Sequence, residues 1–191
     1  AGYEWKDEHT DARFEVFRKD YRDLVTRSAS TWYDNQGFGY ARGVDAFVQR
    51  SRARASGWIS YGYLDTRRKQ GDDPRELPSV TGVRHSLTLV GTVQMTPMAQ
   101  AGARWSYSSG RPYTPVLGGS FNAGTGRWSP IEGERQSGVL PDHKRLDVRL
   151  TRLFSLPAAA ALPASSVCAA YVEALNVLGT RNILDYTYNG D

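Results

Sequence analysis

An alternation of apolar and charged residues at positions 140–154 is the clearest pattern in the chain, where the sequence reads LPDHKRLDVRLTRLF. The two parities are Leu146, Val148, Leu150 and Phe154 against Arg145, Asp147, Arg149 and Thr151. A period of two predicts a β-strand with one apolar and one charged face. Two classes of protein use such strands: soluble sheets with the charged face in water, and membrane barrels with that face in a wet lumen.

The same alternation predicts further strands. The clearest hairpin has strands at 83–95 and 99–107, joined by a turn at Thr96 and Pro97. A turn this tight requires antiparallel neighbours. The other predicted strands are TDARFEVFRKDYRDLV, GFGYARGVDAFVQ and GWISYGYLDT, with shorter extended pieces at 2–6, 167–176 and 182–188. Arg42 and Phe47 break the alternation of GFGYARGVDAFVQ, and GWISYGYLDT has no clear assignment of its faces.

The connections between these strands alternate in length. Short connections are predicted at 7–10, 50–56 and 96–97, and long ones at 26–36, 67–81 and 110–141. An Ala/Pro turn is predicted near 155–164. In a meander, this order places every long connection at one end of the strands and every short one at the other. That arrangement is typical of outer-membrane barrels, which have short periplasmic turns and long extracellular loops.

Strand length and charge favour the same class. Strands of about 12 residues, rising about 3.3 Å each and tilted by roughly 40°, span about 30 Å, whereas soluble strands average about 5 to 6 residues. An Arg near the bilayer midplane costs roughly 2 to 4 kcal/mol. Arg145, Asp147 and Arg149 are therefore predicted to face the lumen, and Leu146, Val148 and Leu150 to face lipid. Arg152 breaks the parity, but near the periplasmic end its charge costs only about 0 to 1 kcal/mol.

Composition excludes several other classes. The chain has 191 residues with 11 Tyr, 6 Phe, 5 Trp and 19 Gly, a mixture that favours strands and turns. Its net charge is +4, but the 24 Lys and Arg are spread along the chain, so no nucleic-acid partner is expected. Cys168 has no second cysteine to pair with, and no Cys/His cluster predicts a metal. No cofactor is expected.

No catalytic constellation appears, and we expect no enzymatic activity. His9, His85 and His143 are far apart, and neither GxSxG nor HExxH occurs. Asp72 and Asp73 can contact a cation in their loop, although an adjacent acidic pair in a polar loop is usually solvated.

Six segments follow one another along the chain: FEVFRKDYRDLV, NQGFGYARGVDAF, RHSLTLVGTVQM, WSYSSGRPYTP, LPDHKRLDVRLTRLF and YVEALNVLGTRNILDYTYN. In this order they resemble the C-terminal barrel part of the TonB-dependent outer-membrane receptors. Each motif is weak alone, but their order makes the resemblance specific. Asp45 stands where the family usually has Glu, and Gly179 stands near its usual second Asn.

The resemblance implies an all-β fold, an antiparallel up-and-down transmembrane β-barrel in the cell outer membrane. Residues 1–191 would form a single C-terminal segment of about eight or nine strands of a larger barrel. The family's plug domain and TonB-contacting segment have no counterpart in the sequence, so the chain is expected to be a fragment or a truncated member. The implied function is energy-coupled uptake of a bulky nutrient such as an iron chelate, corrin or oligosaccharide. The implied partners are outer-membrane lipid, lipopolysaccharide, the plug, the remaining barrel strands and, indirectly, the TonB complex.

Two groups of residues are candidates for the functional site. Lumen residues can form ion pairs across the wall or contact the plug or an anionic ligand; they are Arg104, Arg145, Asp147, Arg149 and Glu173. Loop residues without a core to join favour contact with ligand or lipopolysaccharide; they are Arg111, Tyr113, Phe121, Arg127 and Trp128. Among these, we expect the ligand to be bound by Arg104, Arg111, Tyr113, Trp128 and Arg149. An aromatic girdle is predicted from Trp105, Tyr107, Tyr186 and Tyr188.

Two alternatives remain open from the sequence. A self-contained small outer-membrane barrel with an adhesive or structural role is compatible with the strand count, because about eight strands can close. A soluble carbohydrate-binding sandwich is less compatible with the long strands.

Overall fold

The computed structural model describes residues 1–26, 32–69, 73–155 and 166–188. Within these ranges the only regular elements are β-strands. In chain order they are β1 (Gly2–Lys6), β2 (Thr10–Thr26), β3 (Asp34–Arg52), β4 (Ala55–Lys69), β5 (Glu76–Pro78), β6 (His85–Thr96), β7 (Ala99–Ser108), β8 (Pro112–Tyr113), β9 (Val116–Asn122), β10 (Arg127–Glu132), β11 (Gly138–Val139), β12 (His143–Ser155) and β13 (Val167–Ala174). The described residues contain no helix long and apolar enough to cross a bilayer.

Nine strands form one large antiparallel sheet. Its strand order is β1-β2-β3-β4-β6-β7-β12-β13, with β5 paired to the end of β4. The predicted all-β, antiparallel architecture is therefore confirmed. In the described structure β1 and β13 are each paired on one side only, so the sheet is open at both edges.

The strand registers sort the side chains onto two faces. One row of successive partners across five strands is Val48, Ile59, Leu89, Trp105 and Leu146. We call the side of the sheet that carries this row the apolar face. The opposite side, which carries Arg104, Asp147 and Arg149, is called the charged face. Side chains alternate between the two faces of a strand, so the register fixes the face of each residue.

The large sheet has almost no buried core. Among the described residues, the buried apolar side chains are Ala41, Leu77 and Leu140. Ile59 and Leu150 on the apolar face are half exposed, at 50% and 57%. An exposed apolar surface that extends over many strands marks a region that contacts something apolar in the working protein.

The two residues that break the predicted alternation of β3 both fit the observed register. Arg42 lies on the same side as Val44 and Val48, near the middle of the strand, where its Nη2 is 2.8 Å from Asp65 Oδ2 on β4. Phe47 lies on the charged face, with its ring centroid 6.0 Å from that of Trp58. The backbone does not change parity; the chemistry of each face changes along the strand.

The alternation of the connections is retained, but one of the long ones is shorter than predicted. The short turns lie at 7–9, 53–54 and 97–98, all at one end of the sheet. At the other end β2 and β3 are separated by only 27–33, because both strands extend into the predicted loop. The connection from β4 to β6 spans 70–84 and contains β5. The predicted Ala/Pro turn falls almost entirely outside the described residues.

The connection at 110–141 is not an unstructured loop, which corrects the prediction. It contains two small antiparallel ladders, β8 with β11 and β9 with β10. Its Gly, Pro and Ser residues carry little hydrophobic alternation, so the sequence pattern did not indicate strands there. We call residues 116–132, which form β9, β10 and the turn between them, the loop hairpin.

The predicted extended piece at 182–188 is not a strand. The chain leaves β13 in a turn where Asn176 and Gly179 have φ angles of 52° and 62°. The side chain of Asn182 then hydrogen-bonds the main chain of Lys144, accepting from its N–H and donating to its C=O, both at 2.9 Å. A side chain, not a strand backbone, thus joins this segment to the start of β12.

Candidate functional site

The charged face of β12 carries an ion pair near the start of the strand. Arg145 Nε donates a hydrogen bond to Asp147 Oδ1 at 2.7 Å. The same carboxylate oxygen accepts the backbone N–H of Asn176 at 2.9 Å. The Asp147 side chain is only 15% exposed. Asp147 therefore both neutralises Arg145 and holds the turn that ends β13.

Arg104 and Arg149 lie on the same face on either side of this pair. Arg104 is the register partner of Asp147, on β7. Arg149 places its guanidinium 3.8 Å from the centroid of the Tyr171 ring and directs Nε to Thr151 Oγ1 at 3.3 Å. The charge of Arg104 is in no ion pair of the described structure, which leaves its guanidinium available to an anion.

Glu173 departs from its predicted role. It is the register partner of Arg149, so an ion pair between the two strands was expected. In the described part of the chain Glu173 forms no ion pair, because the Arg149 guanidinium stacks on Tyr171 instead. The predicted set of ion pairs therefore contains Arg145 and Asp147 but not Glu173.

The loop hairpin presents a pair of aromatic rings. Phe121 and Trp128 are register partners, and their ring centroids are 5.3 Å apart at an interplanar angle of 51°. Gly119 lies beneath the indole, since a Cβ there would come within 3.0 Å of Trp128 Cε3. The two rings are 52% and 55% exposed. Rigid, half-exposed aromatic rings of this kind are suited to contact with a ligand.

Arg111 and Tyr113 have a different environment from Trp128. Arg111 Nη2 donates to the carbonyl oxygen of Leu184 at 2.7 Å. The Tyr113 ring lies 5.3 Å from that of Tyr186. Both residues line a groove of about 400 Å³ between the base of the connection and the segment near the C-terminus. Their contacts hold that segment in place, and the groove leaves one side of each exposed.

An ion-pair cluster links two connections at the same end of the sheet. Arg75 Nη1 lies 2.9 Å from Glu134 Oε1, and Arg75 Nη2 lies 3.1 Å from Asp73 Oδ2. Hydrogen bonds from Arg75 lower the pKa of Asp73. The pKa of Arg75 is raised, first by Asp73 and then by Glu134. We call this cluster the loop tether.

The loop tether contains one residue of the acidic pair that the sequence singled out, Asp72 and Asp73. Asp73 is engaged by Arg75 rather than left to solvent, and Asp72 lies outside the described residues. The positions of Arg75 and Glu134, 59 residues apart, gave no local signal that they would meet. In the described ranges, no three His, Cys, Asp or Glu side chains are placed to hold a metal ion.

A second cluster that the sequence did not predict lies on the apolar side of β3 and β4, beyond the apolar residues. Asp65 accepts hydrogen bonds from Arg42 Nε at 3.0 Å and from the Tyr40 hydroxyl at 3.3 Å. Arg67 Nε lies 3.7 Å from the other Asp65 oxygen. The break in alternation at Arg42 was the only sequence signal for this cluster.

The predicted aromatic girdle is divided in the structure. Trp105 and Tyr107 stack on the apolar face with ring centroids 6.3 Å apart. Their neighbours there include Tyr61, whose hydroxyl is 2.9 Å from His85 Nδ1. Tyr186 and Tyr188 lie outside the strands and line the groove beside Tyr113.

The five predicted ligand residues do not form one pocket. Arg104 and Arg149 lie on the charged face, Arg111 and Tyr113 at the base of the long connection, and Trp128 on the loop hairpin. The connection that carries Arg111, Tyr113 and Trp128 joins β7 to β12, the strands that carry Arg104 and Arg149.

Comparison with known proteins assigns no family to the chain. No protein-family model matches it. No curated protein is significantly similar to it.

Proposed function

We propose that this chain forms part of the transmembrane β-barrel of an outer-membrane receptor of the TonB-dependent type. Such a receptor takes up a bulky nutrient, for example an iron chelate, a corrin or an oligosaccharide. One observation supports this more than any other: the sheet is a meander of long strands that separates an apolar face from a charged face. The order of the six sequence motifs supports the same class.

The exposed apolar face accounts for the missing core. A single-layer sheet with half-exposed Ile59 and Leu150 is unfavourable in water, whereas lipid covers such a face along its whole length. The charged face then lines the lumen, where Arg145 and Asp147 stay hydrated. In this orientation the turns at 53–54 and 97–98 are periplasmic, and the loop hairpin is extracellular.

The open edges favour a larger barrel. In hydrocarbon each unpaired backbone group costs several kcal/mol, so β1 and β13 require further strands as neighbours. The rival is a self-contained small barrel with an adhesive or structural role, and it requires β1 to pair directly with β13. In the described structure each of these strands has a single partner, on its other side.

Two surfaces have distinct roles in this proposal. The loop hairpin meets the nutrient first, with Phe121 and Trp128 as contacts. Arg104 and Arg149 lie deeper, on the lumen wall, where they contact the plug or the anionic groups of the nutrient. We propose no catalytic step and no bound cofactor.

A transport assay tests the proposal. Cells with and without the gene for the intact protein are given labelled ferric chelates, cobalamin and maltooligosaccharides in parallel. We expect uptake of one of these to depend on the gene and to stop when a protonophore removes the energy supply. A protein that fractionates with the outer membrane but leaves all uptake unchanged would favour the adhesive or structural rival. A protein absent from the membrane fraction would contradict both.

A further inference from the structure

The apolar face contains a groove that crosses three strands. Gly57, Gly91 and Ala103 are successive partners on β4, β6 and β7, and together they form its floor. The groove has a volume of about 740 Å³, and Ile59 and Trp105 stand in its wall. A Cβ added at Gly91 would have no heavy atom within 4 Å, so the floor is open there.

One end of this groove is basic. Arg50 and Arg52 line it from β3, where they are the partners of Gly57 and Ala55. Neither arginine takes part in an ion pair within the described ranges, in contrast to Arg42 on the same strand, which pairs with Asp65. Two arginines beside an otherwise apolar groove match a molecule with an anionic head and a hydrocarbon tail.

The position of the arginines in the sheet indicates which leaflet of the membrane would supply such a molecule. They lie next to the turn at 53–54, at the short-turn end of the sheet, which the proposed function places at the periplasmic surface. Arginine binds phosphate oxygens through a planar fork, and near the interface its charge costs little. The floor continues from there toward the middle of the strands, in the direction that an acyl chain takes into the bilayer.

We propose that this groove binds one anionic phospholipid of the periplasmic leaflet, represented by phosphatidylglycerol. One acyl chain lies along Gly57, Gly91 and Ala103, and the phosphate lies between Arg50 and Arg52. The inference rests on the proposed membrane position. A second copy of the chain is a poorer occupant, because a two-fold contact through the groove would bring the same unpaired arginines together.

Native mass spectrometry of the intact protein, delipidated in detergent and then given phosphatidylglycerol or phosphatidylcholine, tests the proposal. We expect one retained phosphatidylglycerol, preferred by roughly 30-fold if each arginine contributes as it does at an anionic membrane surface. The variant R50Q/R52Q should bind both lipids equally. R22Q/R84Q removes the same charge at the opposite end of the sheet and should keep the preference.

A second pair of variants tests the groove itself. G91L fills the floor and should abolish retention of either lipid. G102L adds the same side chain to the charged face, where a Cβ meets Thr92 Cγ2 at 3.4 Å and the Gly91 carbonyl oxygen at 3.7 Å, both ordinary contacts, and should behave as wild type.

Three results would overturn the inference. They are retention without preference for the anionic lipid, equal retention by G91L, and a dimer that G91L abolishes. All of them can occur in a protein that still resides in the outer membrane and transports its nutrient. The receptor proposal is tested independently, by membrane fractionation of the protein and by nutrient uptake.

Discussion

Arg149 lies over the ring of Tyr171, with the guanidinium carbon 3.8 Å from the ring centroid, and this contact joins β12 to β13 on the charged face. The two residues are diagonal neighbours, since Tyr171 is the register partner of Thr151. A cation above an aromatic face is attracted by the negative ring quadrupole. The contact therefore holds the last strand of the described sheet where the backbone has a partner on one side only.

Replacing Tyr171 by Leu should loosen β13. We expect the amide hydrogens of β13 to exchange roughly two- to fivefold faster, because exposed contacts of this kind are weak but local. Tyr171→Phe keeps the ring and should exchange like wild type. The measurement is hydrogen-deuterium exchange of the intact protein in detergent. Equal exchange in the Leu and Phe variants would show that the ring does not hold the strand.

The apolar face of the sheet should be exposed to lipid and the charged face to water. After Cys168 is replaced by Ser, spin labels at Leu89 and Val148 should be relaxed mainly by oxygen, which concentrates in lipid. Labels at Thr88 and Gln100 should be relaxed mainly by a water-soluble nickel chelate. Leu89 and Thr88 are adjacent in sequence and so serve as a depth-matched pair. If accessibility to oxygen and to the nickel chelate did not divide the labels by face, the proposed membrane placement would be contradicted.

The loop tether should respond to acid but not to moderate changes near neutral pH. The folded-state pKa of Asp73 lies below its ordinary value of 3.8. The contribution of Asp73 to stability is therefore complete above that value and is lost as the pH falls through the lower folded-state pKa. Arg75 stays charged throughout, because its pKa is raised.

Spin labels at Pro74 and Glu132 give the readout for the tether. The distance distribution between them should be narrow at neutral pH and broaden only under strongly acidic conditions. Arg75→Gln should broaden it at every pH, whereas Arg135→Gln, which removes a neighbouring charge outside the tether, should leave it narrow. Broadening near neutral pH in the wild type would mean that Asp73 is not what holds the two connections together.

Removing the loop hairpin should separate recognition from assembly. Replacing 118–131 by a short Gly/Ser turn keeps the ladder of β8 with β11 and leaves Glu134 in place. We expect normal surface abundance and a large loss of nutrient uptake. Trp128→Phe keeps an aromatic partner for Phe121 and should retain most of the uptake. Wild-type uptake by the shortened protein, at equal abundance, would assign recognition to other parts of the receptor.

The strand pattern was predictable where each face is chemically uniform. Leu146, Val148 and Leu150 alternate with charged residues, and the observed register agrees with the prediction for that strand. GWISYGYLDT gave no assignment, because Trp58 lies on the charged face and Asp65 on the opposite side. Large rings and charges on both parities remove the contrast between the two faces of such a strand.

The candidate site was predictable only residue by residue. Arg145 and Asp147 are two positions apart on one strand, so local spacing was sufficient to bring them together. Contacts such as Arg75 with Glu134, or Arg111 with Leu184, depend on how distant connections fold against each other. Alternation within a strand contains no information about those contacts.

The ladders inside the long connection also affect the order in which the sheet can assemble. Among the described strands of the large sheet, neighbours are close in sequence except for β7 and β12, which end at Ser108 and begin at His143. The entropy lost on closing a loop grows with its length, by about 0.6 kcal/mol for each doubling. When β9 pairs with β10, and then β8 with β11, each step closes a loop only slightly larger than the one before. The loop hairpin thus provides a kinetic route by which the two halves of the meander join.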